Sequence, residues 1–487
     1  MDEESLVPIL YASQTGNCQF IAREISRKYL NCYICELDEF NIETINSYKY
    51  ILFIVSTHGE GQPPFNGSKF YDTLYSMYEL VSIRKKRAVF KFQYSILGLG
   101  DSSFLHFCQF ANNINTLLTR LGATKHIIEF ADAMEKNGFY DGLNRFLSSI
   151  PLRLHITPSS NTNIFYINRH KFNVTATIIS NTKISSTKFS NIYELIFKLD
   201  KKVSFIPGEC IGIIPKNTGI KYVYDNFDNN LNMQQLIDHF DLYSIPHWPI
   251  FHVLYQAALD HNIPDIYKNK LKEITEDYEL YYYYVYSNKK TIFSILQDFH
   301  LDNVKNLNQC LPYLNLINPR YYSYSKLSHD QYSILYNVQS KKGLCTSFLS
   351  QLYPNTTLNI KITDSKLFFN NKKLLFFCTG TGFTLPRSVI LSDIGIDKKI
   401  IVYYGHRYKE QDCLAKDVYP PNTKIICVHS RDDKMYIQDK FEKDWDINEN
   451  IDEWLIFVSG NYILNKEINT VLQKMFNKTI PFQSETW

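Results

Sequence analysis

The sequence predicts a mixed α/β multidomain protein, with a doubly wound parallel-sheet domain at each end and a small antiparallel barrel between them. Three observations carry this. Over residues 1–150, apolar runs ("LVPILYAS", "YILFIVST", "FQYSILGLG") each end in small or polar turn residues and lead into helical periodicity. That is the pattern of a parallel sheet covered on both faces. Over 165–215, short alternating segments ("FNVTATIISN", "IYELIFKLD", "CIGIIP") read as strands of an antiparallel barrel. From 374 the strand–turn–helix rhythm returns in "LLFFCTGTGFTLPRSVIL", "KIIVYYGHR", "TKIICVHSR" and "EWLIFVSGN".

Length and composition bound the rest. A chain of 487 residues exceeds one ordinary core, so several domains are expected. The 45% hydrophobic and 21% charged content is that of a globular chain. A net charge of +3 over this length, with "SIRKKR" at 82–87 the only dense basic run, does not make a nucleic-acid surface. No stretch reaches the roughly 18 uncharged apolar residues of a spanning helix. The start "MDEESLVPIL" carries acids where a signal peptide carries lysine or arginine. A cytoplasmic protein without membrane attachment is the expectation.

The ten cysteines are scattered, not spaced as a disulfide framework. Cys32-x-x-Cys35 lies in the alternating "YLNCYICELDEF", without a second pair or nearby histidines, and reads as a buried strand. Between the barrel segments, residues about 225–307 read as helices ("MQQLIDHFDLY", "HVLYQAALDHN", "IFSILQDF"). The "YYYYVY" at 281–286 falls here and reads as packing in a tyrosine-rich chain. Strand character resumes at 319–340.

Within this frame, "YASQTGNCQF" (11–20) places Ser13, Gln14, Thr15, Gly16, Asn17 and Cys18 where a strand turns into a helix. Free N–H groups and the helix dipole there favour an anion, and the hydroxyls add donors. The tract lacks the glycine spacing and lysine of an ATPase phosphate loop, so it suits one terminal phosphate. Two later turns, "STHGEGQPP" (56–64) and "GLGDSSFLHF" (98–107), converge on the same strand-end edge. Phe104 offers a ring for stacking. Alone, each tract also reads as ordinary structure, a capped helix or a tight turn.

On these three motifs in order, residues 4–150 resemble the flavodoxin-like FMN domain of the NADPH-dependent diflavin oxidoreductases, the family related to cytochrome P450 reductase. The resemblance implies a phosphate loop at 13–18 with the flavin ring between the other two loops. Ser56, Thr57, His58, Gly59, Leu99, Gly100, Asp101, Ser102, Ser103, Phe104, Phe107 and Asp132 would then line FMN. His58 stands where relatives often carry tyrosine or threonine.

Further motifs extend the resemblance to about nine-tenths of the chain. "NPRYYSYS" (318–325) is by itself an aromatic strand, and it is similar to the family's Arg-x-Tyr-Ser element. The implied roles are Arg320 on the FAD pyrophosphate, Tyr321 and Tyr322 at the flavin, and Ser323 near its reactive nitrogen. An arginine suits the first task because its planar fork holds two phosphate oxygens. "GLCTSFL" resembles the accompanying turn, adding Gly343, Leu344, Cys345 and Thr346. "CTGTGFTLPR" (378–387) resembles the nicotinamide-dinucleotide turn and keeps Thr381, but has Thr384 and Leu385 where relatives read Ala-Pro. "HSRDDKMYIQ" (429–438) places Ser430, Arg431, Lys434, Met435, Tyr436, Ile437 and Gln438 on the family's pattern for a 2′-phosphate, so NADPH is expected and not NADH. Glu467 aligns with an acid that contacts NADPH.

For hydride transfer the resemblance implies Ser323, Ser459, Glu485 and Trp487, the last covering the FAD ring. Ser459 stands where many relatives carry cysteine, and Glu485 where some carry aspartate. The implied division is a flavodoxin-like FMN domain (1–150), a hinge linker (151–164, with "HITPSSNTN"), a β-barrel FAD domain (165–370) with the helical insert, and a ferredoxin-reductase-like NADPH domain (371–487). The closing "ETW" resembles the branch serving cytosolic iron–sulfur protein assembly, whose acceptor is an anamorsin-type protein. Cytochrome P450, methionine synthase or the sulfite reductase haem subunit remain alternative acceptors, and a catalytically silent scaffold a reading of another class.

Overall fold

The structure, a computed structural model, describes residues 6–28, 32–59, 61–84, 89–150, 174–186, 190–217, 238–305, 307–339, 343–365, 367–411, 414, 419–446 and 448–486. The linker at 151–164 and Trp487 lie outside them, as do the first five residues (233–237) of "MQQLIDHFDLY". The chain divides into two compact units, one drawn from 1–169 and 219–316, the other from 170–218 and 317–487.

The first unit is built on a parallel sheet of β1 (Val7–Ala12), β2 (Cys32–Glu36), β3 (Tyr50–Ser56), β4 (Gln93–Gly100) and β5 (Thr124–Asp132). Their order is β2-β1-β3-β4-β5, which is the flavodoxin-like order. Helices α1 (Asn17–Lys28), α2 (Ser68–Arg84), α3 (Gln109–Arg120) and α4 (Phe139–Ser149) cover it. Because successive side chains alternate across a strand, Leu10, Phe53 and Ile96 pack one face while Ile9, Ile54 and Leu97 pack the other. A central strand buried on both faces reads as an unbroken apolar run, and every residue of β1 is buried. Cys32 and Cys35 lie on β2, and burial raises both thiols to about 12.

The helical segment belongs to this unit. Its helices α5 (Ile250–Asp260), α6 (Asp265–Glu276) and α7 (Ile292–Asp298) enclose a core of Phe251, Leu254, Leu271 and Ile295. By sequence it reads as an insert of the barrel domain, and the chain does leave the barrel to form it. In space, however, it packs on the first sheet's helices. The Phe20 ring stacks on His247 (centroids 3.7 Å apart, 12° between planes), and Arg23 Nη1 donates to Leu314 O at 3.1 Å. Tyr140 meets Trp248 and Tyr278 edge-on. Of the "YYYYVY" run, Tyr281 and Val285 are buried and Tyr282, Tyr283 and Tyr286 are exposed.

In the second unit six antiparallel strands close a barrel: β6 (Val174–Ser186), β7 (Ser190–Leu199), β8 (Cys210–Ile213), β9 (Arg320–Lys326), β10 (Gln331–Gln339) and β11 (Thr357–Thr363). Ile213 pairs with Arg320 across the β8–β9 ladder, so the long intervening segment leaves and re-enters the barrel at one point. Helix α8 (Leu344–Leu349) follows β10. A second parallel sheet then runs in the order β14-β13-β12-β15-β16. Its strands are β12 (Lys373–Thr379), β13 (Lys399–His406), β14 (Thr423–His429), β15 (Trp454–Gly460) and β16 (Phe482–Thr486). Helices α9 (Thr384–Ile390), α10 (Ile437–Asp444) and α11 (Tyr462–Phe476) lie beside it. Barrel and sheet are tied by an ion pair between buried Arg387 and half-buried Glu194, Nη1 to Oε1 at 2.5 Å. Among the described residues no helix is long and apolar enough to cross a membrane.

Candidate cofactor sites and reaction cluster

At the carboxyl edge of the first sheet, the loop after β1 folds back on its own helix. Ser13 Oγ accepts from the N–H groups of Gly16 (3.0 Å) and Cys18 (3.2 Å), and Ser13 N–H donates to Asn66 Oδ1 (2.9 Å). Gly16 sits at φ +97°, where a side chain would be strained. The N–H groups of Gln14, Thr15 and Asn17 have no protein partner among the described residues, and they lie at the positive end of α1. With the Ser13 and Thr15 hydroxyls beside them, this donor set fits a phosphate monoester. Cys18 differs from the sequence expectation. Its side chain is fully buried in the core, burial pushes its thiol up to about 12, and its N–H is paired with Ser13 Oγ, so the side chain packs in the core.

The loop after β3 is tied to α3, because Thr57 Oγ1 accepts from Phe110 N–H at 3.2 Å. His58 and Gln62 close it with paired backbone bonds (2.9 and 2.8 Å), and Gly59 and Gly61 both take positive φ. In the loop after β4, Asp101 Oδ1 accepts from Ser103 N–H at 2.9 Å. Asp132, at the end of β5, accepts from the N–H groups of Ser102 and Met134, both at 3.0 Å. Partial burial opposes its charge, but these hydrogen bonds outweigh that and hold its carboxyl below the usual range. Both aspartates therefore brace the loop. Leu99 is buried in the core and Phe107 packs edge-on against Phe130, which leaves Phe104, 52% exposed, as the outward ring.

On the barrel, alternation along β9 puts Arg320 and Tyr322 on one face and Tyr321 and Ser323 on the other. Arg320 Nη1 donates to Asn318 O at 2.9 Å. The Tyr321 ring lies over Gly212 of β8, where a Cβ would meet it at 2.8 Å, so only glycine admits the ring there. Burial, and then the Cys345 thiol bonded to it, raise the Tyr322 phenol well above its ordinary value. Thr346 Oγ1 donates to Gly343 O at 3.3 Å, and Leu344 and Cys345 are buried beneath it. A planar guanidinium beside aromatic rings is a donor set that suits the pyrophosphate and ring of a flavin dinucleotide.

At the second sheet, β12 opens into Gly380 (φ +53°), and nothing lies within 4 Å of the position its Cβ would take. Bare backbone at the point where strand order reverses fits a dinucleotide pyrophosphate. At Gly460 of β15 a Cβ would come 2.9 Å from Thr379 Oγ1, so these two strand ends approach closely. Leu385, one of the departures from the family turn, is 1% exposed and serves the core beside Phe383, which stacks on Tyr404. Thr381 O accepts from Thr384 Oγ1 at 2.9 Å.

Residues 430–436 form an exposed turn that follows β14. Ser430 and Arg431 are pinned by backbone bonds to His406 and Arg407, and Lys434 adopts φ +51°. The side chains of Arg431, Lys434 and Tyr436 are exposed. The remaining expected contacts turn inward. Met435 and Ile437 join the core, and Gln438 is buried and donates to Glu467 Oε2 at 2.7 Å, tying α10 to α11.

The structure brings Ser323, Ser459 and Glu485 together. Ser459 is the register partner of Glu485 on β15–β16, and its Oγ donates to Glu485 Oε2 at 3.4 Å. Ser323 is the register partner of Cys210 on β8–β9, with Sγ and Oγ 3.8 Å apart. Cys210 Sγ lies 3.9 Å from Glu485 Oε1. Burial raises the Glu485 carboxyl, while bonds from Ser323, Ser459 and Cys210 work the other way. Cys210 was not singled out from sequence, where it is simply the first residue of an apolar strand. Asn66, the anchor of the first loop, was missed for the same reason, since only the fold places it there.

Comparison with known proteins agrees with this architecture. Residues 9–137 match the Flavodoxin family model. The chain is similar to NADPH-dependent diflavin oxidoreductase 1 of Schizosaccharomyces pombe, 24% identical over 94% of this chain and 92% of that protein. The Xenopus laevis protein of the same name is 22% identical over the full length of both. The sulfite reductase [NADPH] flavoprotein alpha-component of Buchnera aphidicola subsp. Schizaphis graminum is 24% identical, over 98% of this chain and 85% of its own.

Proposed function

The chain belongs to the family of NADPH-dependent diflavin oxidoreductases, and from that premise we propose that it delivers electrons to an anamorsin-type iron–sulfur protein of cytosolic cluster assembly. Its cofactors are FMN, FAD and NADPH. The observation that carries the reading is that one chain joins a flavodoxin-order sheet, a six-stranded barrel and a second parallel sheet with a bare glycine turn at its switch point. Bound there, the flavins would take up the electron pair of NADPH and release it one electron at a time.

The residues divide that work. The N–H groups of Gln14, Thr15 and Asn17, with the Ser13 hydroxyl, hold the FMN phosphate, and Phe104 faces its ring. Arg320 and Thr346 hold the FAD pyrophosphate, and Tyr322 and Ser323 orient the flavin. Ser430, Arg431, Lys434 and Tyr436 select the 2′-phosphate, because cations and hydroxyls recognise it where a carboxylate would repel it. Ser459 and Glu485 stand at the nicotinamide.

The resemblance of the closing "ETW" to the branch serving cytosolic iron–sulfur protein assembly supports the acceptor assignment, and a cytoplasmic role is part of the same proposal. The Buchnera relative favours a second reading, in which the acceptor is a sulfite reductase haem subunit. The two are tested by supplying NADPH to the holoprotein with each purified acceptor. Reduction of the iron–sulfur protein, followed by its visible absorbance, at a rate well above that of the haem subunit is expected. The reverse order would overturn the assignment.

A further inference from the structure

Two register pairs meet at the reaction cluster, and they come from different sheets. Ser459 and Glu485 are neighbours on the second parallel sheet, while Cys210 and Ser323 are neighbours on the barrel. Three donors reach the Glu485 carboxyl: Ser323 Oγ, Ser459 Oγ at Oε2, and Cys210 Sγ at Oε1. No cationic side chain acts on Glu485 among the described residues. The groups that face it are Cys210 from β8, Ser323 from β9 and Ser459 from β15. Glu209, beside Cys210, has its Oε2 occupied by the Tyr324 hydroxyl (2.7 Å) and Ile206 N–H (3.1 Å). Among the described residues, the donors that favour an ionised Glu485 are therefore hydroxyls and a thiol.

Cys210 can act in only one sense. It is 8% exposed, and burial followed by the nearby Glu485 charge raises its thiol far above neutrality. It stays protonated, so it is an S–H donor and not a nucleophile. We propose that Cys210 is a positioning residue that reaches from the barrel to hold the Glu485 carboxyl beside Ser323 and Ser459, facing the nicotinamide. The inference rests on the NADPH reading above.

The sign follows from which form the donor favours. A hydrogen bond to the carboxylate stabilises the ionised form, so removing it moves ionisation to higher pH. An ionised Glu485 attracts the positively charged ring of NADP+, so NADP+ affinity should rise with pH through the Glu485 transition. Calorimetric titration of the oxidised holoprotein with NADP+ between pH 5 and 9 reads this without turnover. The wild type is expected to show a rise that Glu485→Gln removes. In Cys210→Ala it should move alkaline by about half to one pH unit, and Cys210→Ser, which keeps a donor, should return it to near the wild-type position. Flavin content, measured on each variant, reports folding, and the serine variant preserves the test should the alanine variant lose flavin.

A rise that stays in place in Cys210→Ala, or that shifts equally in Cys210→Ser, overturns the inference. So does a wild-type profile that Glu485→Gln leaves unchanged. Failure of the wild type to bind NADP+ at any pH overturns instead the NADPH reading on which it stands.

Discussion

The two strand-end sites are assembled in opposite ways. The first sheet draws its site from three loops, and each is braced at that sheet's own edge: Ser13 by Gly16, Cys18 and Asn66, Thr57 by Phe110 with His58 by Gln62, and the third by Asp101 to Ser103 and Asp132 to Ser102 and Met134. The reaction cluster takes single residues from four strands of two sheets, and its geometry depends on how the barrel packs on the second sheet. A site of the first kind should tolerate damage elsewhere in the chain. A site of the second kind should fail when a distant tie is cut.

The sharpest way to break this comparison is Arg387→Ala. It leaves the half-buried Glu194 without its ion-pair partner, at a cost of about 1–3 kcal/mol. Denaturant unfolding should show that loss in the second unit, and NADPH-driven flavin reduction should fall with it, while bound FMN is retained. Equal loss of FMN would show that the two sites are not independent.

Next in size is Arg431→Ala with Lys434→Ala. Each removes one charged donor from an exposed turn without disturbing the core. The preference for NADPH over NADH in kcat/KM should fall roughly 10- to 100-fold. An unchanged ratio would mean the 2′-phosphate binds elsewhere.

Asp132→Asn tests local bracing. The carboxyl is held below its ordinary value, so its contribution is present above about pH 4 and is lost as pH falls through the lowered value. FMN affinity in the variant should drop by about tenfold or less at neutral pH, and its acid-linked decline should flatten. Flavin fluorescence on release measures both. A variant with wild-type affinity and acid profile would remove Asp132 from the account.

The smallest effect at neutral pH is expected from His247→Phe. Burial drives the His247 ring down to about 3, against about 6.5 in an unfolded chain. Its folded value is depressed, so the stability it permits is present above pH 6.5 and is lost as pH falls toward 3. Phenylalanine keeps an aromatic ring facing Phe20 and cannot titrate. Thermal midpoints between pH 4 and 7 should therefore slope less in the variant, and an equal slope would place the acid sensitivity elsewhere.

The same contrast explains what was legible in the sequence. The first site lies in runs short enough to read, since a strand, its turn and its helix are contiguous, and periodicity marks all three. Gly380 and the exposed 430–436 turn are legible for the same reason. Cys18, Met435, Ile437 and Gln438 lie within recognisable motifs, yet face the core or pair with protein, because a motif fixes backbone position and not side-chain direction. Cys210 and Asn66 carry no local signal. Their roles come from β-register and from packing across long sequence separations, which alternating hydrophobicity does not encode. The helical segment shows the same limit. Its helices are readable, but the surface they cover is set by Phe20, Arg23 and Tyr140 in another part of the chain.

One chain is expected to hold two flavins and to draw electrons from NADPH. The absorbance spectrum of the purified protein, with the released flavins quantified, tests it most directly. About one FMN and one FAD per chain are expected, with the flavin bands bleaching on addition of NADPH and far less with equal NADH. A protein that shows no flavin absorbance, even after incubation with FMN and FAD, would contradict the account.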